Sequence, residues 1–300
     1  MTRAVPPTER RNPRTADIDA LDSRDVLRLL HDEDARAVEA ARGAAGALAE
    51  AVDAAHDRLA RGGRVHYFGA GASGRLAVLD ATEITPTFGV PRDLFTAHFA
   101  GGVAAVADSS IDAEDAAEQG AADAGGLDAA SVAVGVTASG STPYVRGALA
   151  AARAGGALTV LVTCVPDAPL RELADIAVVA DTGAEALTGS TRLKAGTATK
   201  VLLNSFSTAL MIKAGRTYGN LMVGLVATNA KLRERAVALL AEASGEPAPV
   251  CRAALAEADG RIPEALVRLL TGCPPARARA ALEEHPGVRA AVAALGGRAE

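Results

Sequence analysis

Tryptophan is absent from this 300-residue chain, and aromatic residues make up only 3% of it. No aromatic platform for stacking bases is on offer, and 31 Lys and Arg against 36 Asp and Glu leave no basic excess. Nucleic acid is therefore excluded as a partner. Cysteine is scarce as well. Cys164, Cys251 and Cys273 are far apart and odd in number, which argues against a disulfide framework. The histidines at 31, 56, 66, 98 and 285 show no metal-ligand spacing, and His66 and His98 fall inside predicted strands. No apolar run approaches the roughly 20 residues of a membrane span. Residues 1–16 are polar and proline-bearing, unlike a secretory leader. A cytoplasmic protein with no membrane partner is expected.

What the chain does contain is small and apolar: 49% of it is hydrophobic, with 30 glycines. Its organising stretch is RVHYFGAGASGRLAVLDATEIT, residues 64–85. An apolar, β-prone run over 64–68 reads as a buried strand. It stops at Gly69-Ala70-Gly71-Ala72-Ser73-Gly74, and a helical pattern follows at once. A glycine turn feeding a helix N-terminus gathers unpaired amides and the positive end of the dipole, a ready anion site.

The remainder falls in place around this unit. Residues 1–22 lack periodicity and read as an arm lying on something; Ser23 is the expected N-cap of the first helix. A longer alanine-rich pattern spans 34–60, and further strands are predicted at 94–100, 131–137, 159–165 and 176–180. A helix over 112–124 and another after residue 140 alternate with them. The expected fold is α/β: a three-layer αβα sandwich on a five-stranded parallel sheet over about 64–182. Long helices follow at 193–218 and 227–243, then a proline-bearing linker at 245–249 and three short helices. The predicted divisions are an arm and helix (1–47), the sheet domain (48–216) and a helical region (217–300) with a small bundle from about 247.

The strand ends carry the chemistry. Gly69 and Gly135 each begin a G-x-x-A-S-G turn, an internal repeat. GAGASG also satisfies the dinucleotide pattern, but the next strand ends in Phe99-Ala100-Gly101-Gly102 without the acidic residue a ribose needs. Paired serine turns fit a small phosphorylated ligand better. Ser73, Gly74, Ser139, Gly140, Ser141 and Thr142 are the candidate ligands, with Ser190 and Thr191 at a third helix start. Each alone reads as an N-cap. Glu83, beside Ile84, Pro86 and Phe88, and Glu114, in DAEDAAE, are the candidate carboxyls. Two carboxyls in unlike surroundings suit acid–base work, although by composition Glu114 reads as a solvated helix start.

These motifs carry a resemblance. The A-S-G strand ends resemble the sugar isomerase (SIS) domain, a phosphosugar-binding family. GAEALTGSTRLKAGTATK (183–200) resembles the signature shared by glucokinase regulatory proteins and N-acetylmuramic acid 6-phosphate etherases. GAGASGRLAVLDATEITPTFG (69–89), TERRNPRTADID (8–19) and YGNLMVGLVATNAKLRERA (218–236) resemble the etherases in particular. The resemblance implies a lyase that removes D-lactate from a phosphorylated amino sugar, with Glu83 as acid, Glu114 as base, no metal and no cofactor. It also implies a homodimer. A phosphosugar-sensing regulator and an aldose–ketose isomerase are the alternatives. Ala72 and Ser141 depart from the family pattern, which commonly has threonine and arginine there. A missing arginine removes a bidentate anion partner.

Overall fold

A computed structural model describes residues 5–225 and 230–297. The chain forms two compact units, the first running through Thr82 and resuming over Asp93–Ser207. The second comprises Glu83–Arg92 and the chain from Thr208 onward.

The first unit opens with three 3₁₀ turns in the arm, Pro7–Glu9, Pro13–Thr15 and Ile18–Ala20. Helices α1 (Ser23–Gly43) and α2 (Ala45–Leu59) follow. Asp22, not Ser23, caps α1: its carboxylate accepts the Asp25 amide at 2.9 Å, so Ser23 becomes the first helical residue. The predicted 34–60 helix is broken at Ala44 into these two.

Next come β1 (Val65–Gly69), α3 (Gly71–Phe88), β2 (Phe95–Phe99), α4 (Gly102–Ala107), α5 (Ala117–Asp123) and β3 (Val132–Val136). Helix α6 (Pro143–Ala154), β4 (Leu158–Thr163), β5 (Ile176–Val179) and α7 (Lys194–Lys213) complete the series. Helices α3 and α7 each run from one unit into the other. The five strands are all parallel, in the order β2-β1-β3-β4-β5, as expected of the sandwich.

Alternation along β1 sends Tyr67 and Phe68 to opposite faces. Phe68 joins Tyr144, Val145 and Leu149 of α6 in one buried cluster. Tyr67 instead donates to Asp80 of α3 at 2.8 Å, and Asp80 also accepts from Ser207 of α7 at 2.9 Å. All three side chains are buried. Burial pushes the Asp80 carboxyl above its ordinary pKa, against the opposing pull of these two hydroxyls. The strand histidines meet across β1 and β2, with His66 Nδ1 lying 3.2 Å from His98 Nε2. Burial first, then His98 and Arg64, bring His66 down to about 4.

The predicted 112–124 helix begins later, at Ala117, and α4 precedes it where only a glycine stop was expected. Gly101, at φ 84°, supplies the left-handed entry to α4.

The second unit is helical: α8 (Ala230–Ser244), α9 (Ala248–Glu257), α10 (Ile262–Thr271), α11 (Pro275–Glu284) and α12 (Val288–Ala294). The first three positions of the predicted 227–243 helix, 227–229, lie outside the described residues. Val237, Leu240, Cys251, Leu255, Ile262, Leu266 and Val292 share one core. The expected linker is thus a tight connection between helices packed in a single cluster, and α12 lies beyond the three expected short helices. No helix among the described residues is long and apolar enough to cross a membrane.

Candidate active site

The strand order places the end of β1 beside the end of β3, with Gly69 paired to Val136. From β1 the chain winds outward to β2, then returns to β3 on the other side. Ligands of open parallel sheets gather at such a reversal, outside the strands' carboxyl ends. The two A-S-G turns therefore leave adjacent strands at one edge of the sheet.

The first turn is built on close backbone approach. A Cβ on Gly69 would lie 2.8 Å from the Gly74 Cα, and one on Gly74 would lie 2.7 Å from the Gly69 carbonyl oxygen and from the Phe99 ring. Only glycine fits at either place. Ser73 is half-buried in the opening turn of α3. Arg75, two residues on, directs its donors to the carbonyls of Val106, at 2.7 Å, and Ala105, at 3.2 Å. It thereby ties α4 to α3.

The second turn is a chain of hydroxyls. Ser141 Oγ donates to Ser139 Oγ at 3.0 Å, and Ser139 lies 3.3 Å from Thr137 Oγ1. Thr137 is 2.8 Å from Thr142 Oγ1, which donates to the Glu114 carboxylate at 3.0 Å. A threonine hydroxyl has one proton. Because Thr142 spends its proton on Glu114, Thr137 must donate to Thr142, and the chain acquires a direction that ends at the carboxylate. Gly140 contributes its amide to Thr137 Oγ1 at 3.2 Å.

Glu114 is not helical. It sits exposed in the turn ahead of α5, where its carbonyl accepts the Tyr144 amide at 3.0 Å. Helices α5 and α6 cross closely there: a Cβ on Gly120 would lie 1.9 Å from the Tyr144 carbonyl oxygen, and one on Gly147 1.9 Å from that of Ala117. Tyr144 Oη then donates to Asp123 at 2.6 Å. The start of α6 and the Glu114 turn are locked together.

From the sequence, Ile84 and Pro86 read as closing the helix at Glu83; α3 instead carries on to Phe88 with Pro86 inside it, so Glu83 lies within the helix. Its side chain is exposed, and its carbonyl accepts from Thr87 Oγ1 at 2.6 Å. Ser190 and Thr191 stand in the turn before α7, half-buried. The first amides of α7, those of Lys194 and Ala195, are already taken by the buried Glu185 carboxylate, both at 2.9 Å. Burial pushes that carboxyl above its ordinary range, opposed by the same two amides.

The structure thus joins Ser139, Ser141, Thr142 and Glu114 in one hydrogen-bonded chain and sets the Ser73–Gly74 turn on the neighbouring strand. Sequence reasoning missed Thr137, the middle of the chain, because it reads as the last β-former of a strand. The signal was the hydroxyl-dense run Thr137-Ala138-Ser139-Gly140-Ser141-Thr142.

A doubly wound parallel sheet with paired glycine–serine turns at its reversal point is the architecture of a SIS domain. Residues 47–153 match the family model described as glucokinase regulatory protein N-terminal SIS domain. In fold alone, the chain is similar to a phosphoheptose isomerase from Francisella tularensis, with a TM-score of 0.50 and 19% identity, covering 64% of this chain and 100% of that one. In sequence it is 53% identical over 265 residues to the N-acetylmuramic acid 6-phosphate etherase of Thermobifida fusca (strain YX), covering 88% of this chain and 87% of the relative. It is 46% identical to the enzyme of the same name from Cronobacter sakazakii (strain ATCC BAA-894), covering 95% and 97%. The chain belongs to the N-acetylmuramic acid 6-phosphate etherase family.

Proposed function

We propose that this protein is a carbon–oxygen lyase that converts N-acetylmuramic acid 6-phosphate into N-acetylglucosamine 6-phosphate and D-lactate. The observation that carries this reading is the near-full-length identity to etherases. In the open-chain sugar, the aldehyde makes the carbon 2 proton acidic. Glu114 takes that proton, and the electron pair expels lactate from carbon 3 while Glu83 supplies the proton to the departing oxygen. Water then adds to the unsaturated aldehyde at carbon 3. Ser73, Gly74, Ser139, Gly140, Ser141 and Thr142 hold the 6-phosphate, and Ser190 and Thr191 contribute from the third turn. The hydroxyl chain supports this reading, since it connects the phosphate turn to the base and orients the Glu114 carboxylate through Thr142. A phosphorylated cell-wall amino sugar is a cytoplasmic substrate, and its recycling is the setting.

Purified protein incubated with N-acetylmuramic acid 6-phosphate should release D-lactate and N-acetylglucosamine 6-phosphate in equal amounts. A protein that binds the sugar phosphate without releasing lactate would instead be a sensor, the reading that the regulatory-protein match to residues 47–153 favours.

The working form is a homodimer. Exposed Leu79 on α3 and Ile212 on α7, on helices otherwise rich in small residues, support it. Sedimentation at micromolar concentration should give twice the 30.2 kDa of one chain; a monomer would overturn it.

A further inference from the structure

The arm motif at 8–19 and the signature at 183–200 are remote in sequence and have no evident reason to be linked. In the structure they are bonded to each other. The Gly189 amide donates to the Thr8 carbonyl at 3.1 Å, and Thr15 Oγ1 donates to the Ala186 carbonyl at 2.7 Å. Thr8, Asn12 and Thr15 are all buried. Gly189 has φ +76°, and a Cβ there would lie 2.8 Å from the Glu9 carboxylate, so the arm closes directly on the loop.

One carboxylate gathers these contacts. Glu33 of α1, 3% exposed, accepts from Asn12 Nδ2 at 2.9 Å, from Arg14 Nε at 2.5 Å and Nη2 at 3.0 Å, and from Lys194 Nζ at 2.5 Å. Lys194, one of the signature's two lysines, is 1% exposed. Its ammonium is held by Glu33 of α1 and is not free to meet a phosphate. Burial alone would raise the Glu33 carboxyl, but Arg14 and Lys194 overcome it and bring it to about 2. Truncating one member of such a buried set leaves the others uncompensated.

We propose that residues 8–15 form a clamp on the signature loop, with Glu33 as its hub. Arg14, Asn12 and Lys194 are positioning residues that fix Ser190 and Thr191 for the substrate. The clamp rests on the reading of Ser190 and Thr191 as substrate contacts. Its members touch no substrate themselves; they act by holding the loop at a fixed geometry, where a displacement of about 1 Å can cost up to about 10²-fold.

Thr15→Val removes one hydroxyl and no charge, and Glu33→Gln keeps shape while removing the hub's charge. Both are to be made in the full chain. Hydrogen exchange at the Gly189, Lys194 and Ala195 amides should quicken by at least about tenfold, and KM for N-acetylmuramic acid 6-phosphate should rise about tenfold with kcat changed far less. Thr15→Ser should restore both. Unchanged exchange in Thr15→Val would overturn the clamp. Faster exchange with an unchanged KM would overturn its positioning role. Exchange is read without substrate, so a parent protein that released no lactate would count against the functional reading and not against the clamp.

Discussion

Glu83→Gln should slow the release of D-lactate by about 10²–10⁴-fold, the contribution of a positioned general acid. The substitution preserves shape and hydrogen bonding but removes the transferable proton. Glu114→Gln should cost a similar factor for a different reason: the amide cannot take the carbon 2 proton. Solvent exchange separates the two. In deuterated water, the Glu83 variant should still wash deuterium into carbon 2, because deprotonation precedes loss of lactate. The Glu114 variant should not, although it still binds the sugar through the serine turns. A reversed pattern would swap the two roles. Lactate release within tenfold of the parent in both variants would place the acid–base pair elsewhere.

Gly140→Ala should damage both stability and binding. Gly140 has φ +65°, where a non-glycine residue costs about 1–2 kcal/mol. Its Cβ would also lie 2.2 Å from the Ala168 Cβ and 2.8 Å from Thr163 Oγ1. Overpacking of this kind typically adds about 1–3 kcal/mol. Together these predict a loss of about 2–5 kcal/mol and a fall in Tm of roughly 5–15 °C. KM should rise as well, because the Gly140 amide and carbonyl anchor the turn to Thr137 and Leu170. Adding Ala168→Gly removes the nearer clash and should recover part of the loss but not the strain in φ. A Tm and KM within error of the parent would refute the account.

The sheet was legible because each strand is apolar, short and closed by small or turn-forming residues, and these signals are local. The serine turns were legible for the same reason. Their adjacency followed only from the strand order, since β1 and β3 are not consecutive strands in the chain. What stayed hidden was non-local or masked by composition. The break at Ala44 is flanked by Gly43 and Gly46, but the alanines around them favour helix and mask the signal. Helix α4 is hidden by Gly101-Gly102, which reads as a stop although it is a left-handed entry. Glu33 lies in an ordinary acidic, helical run, and nothing nearby in sequence marks it as the partner of Lys194. The capping of α7 by Glu185 is likewise invisible without the fold, yet it changes what the signature's helix start can offer a ligand.

The boundary between the two compact units passes through the interiors of α3 and α7, and residues 83–92 belong with the chain beyond 208. Gly89 belongs to this excursion, and a Cβ on it would lie 2.0 Å from the Gly224 carbonyl oxygen. For a genome, this makes the molecule hard to assemble by recombination. A gene fragment ending after Ser207 would still encode residues 83–92, now without Gly224, and one beginning at Thr208 would lack them. A single cut in the gene therefore cannot separate the two units.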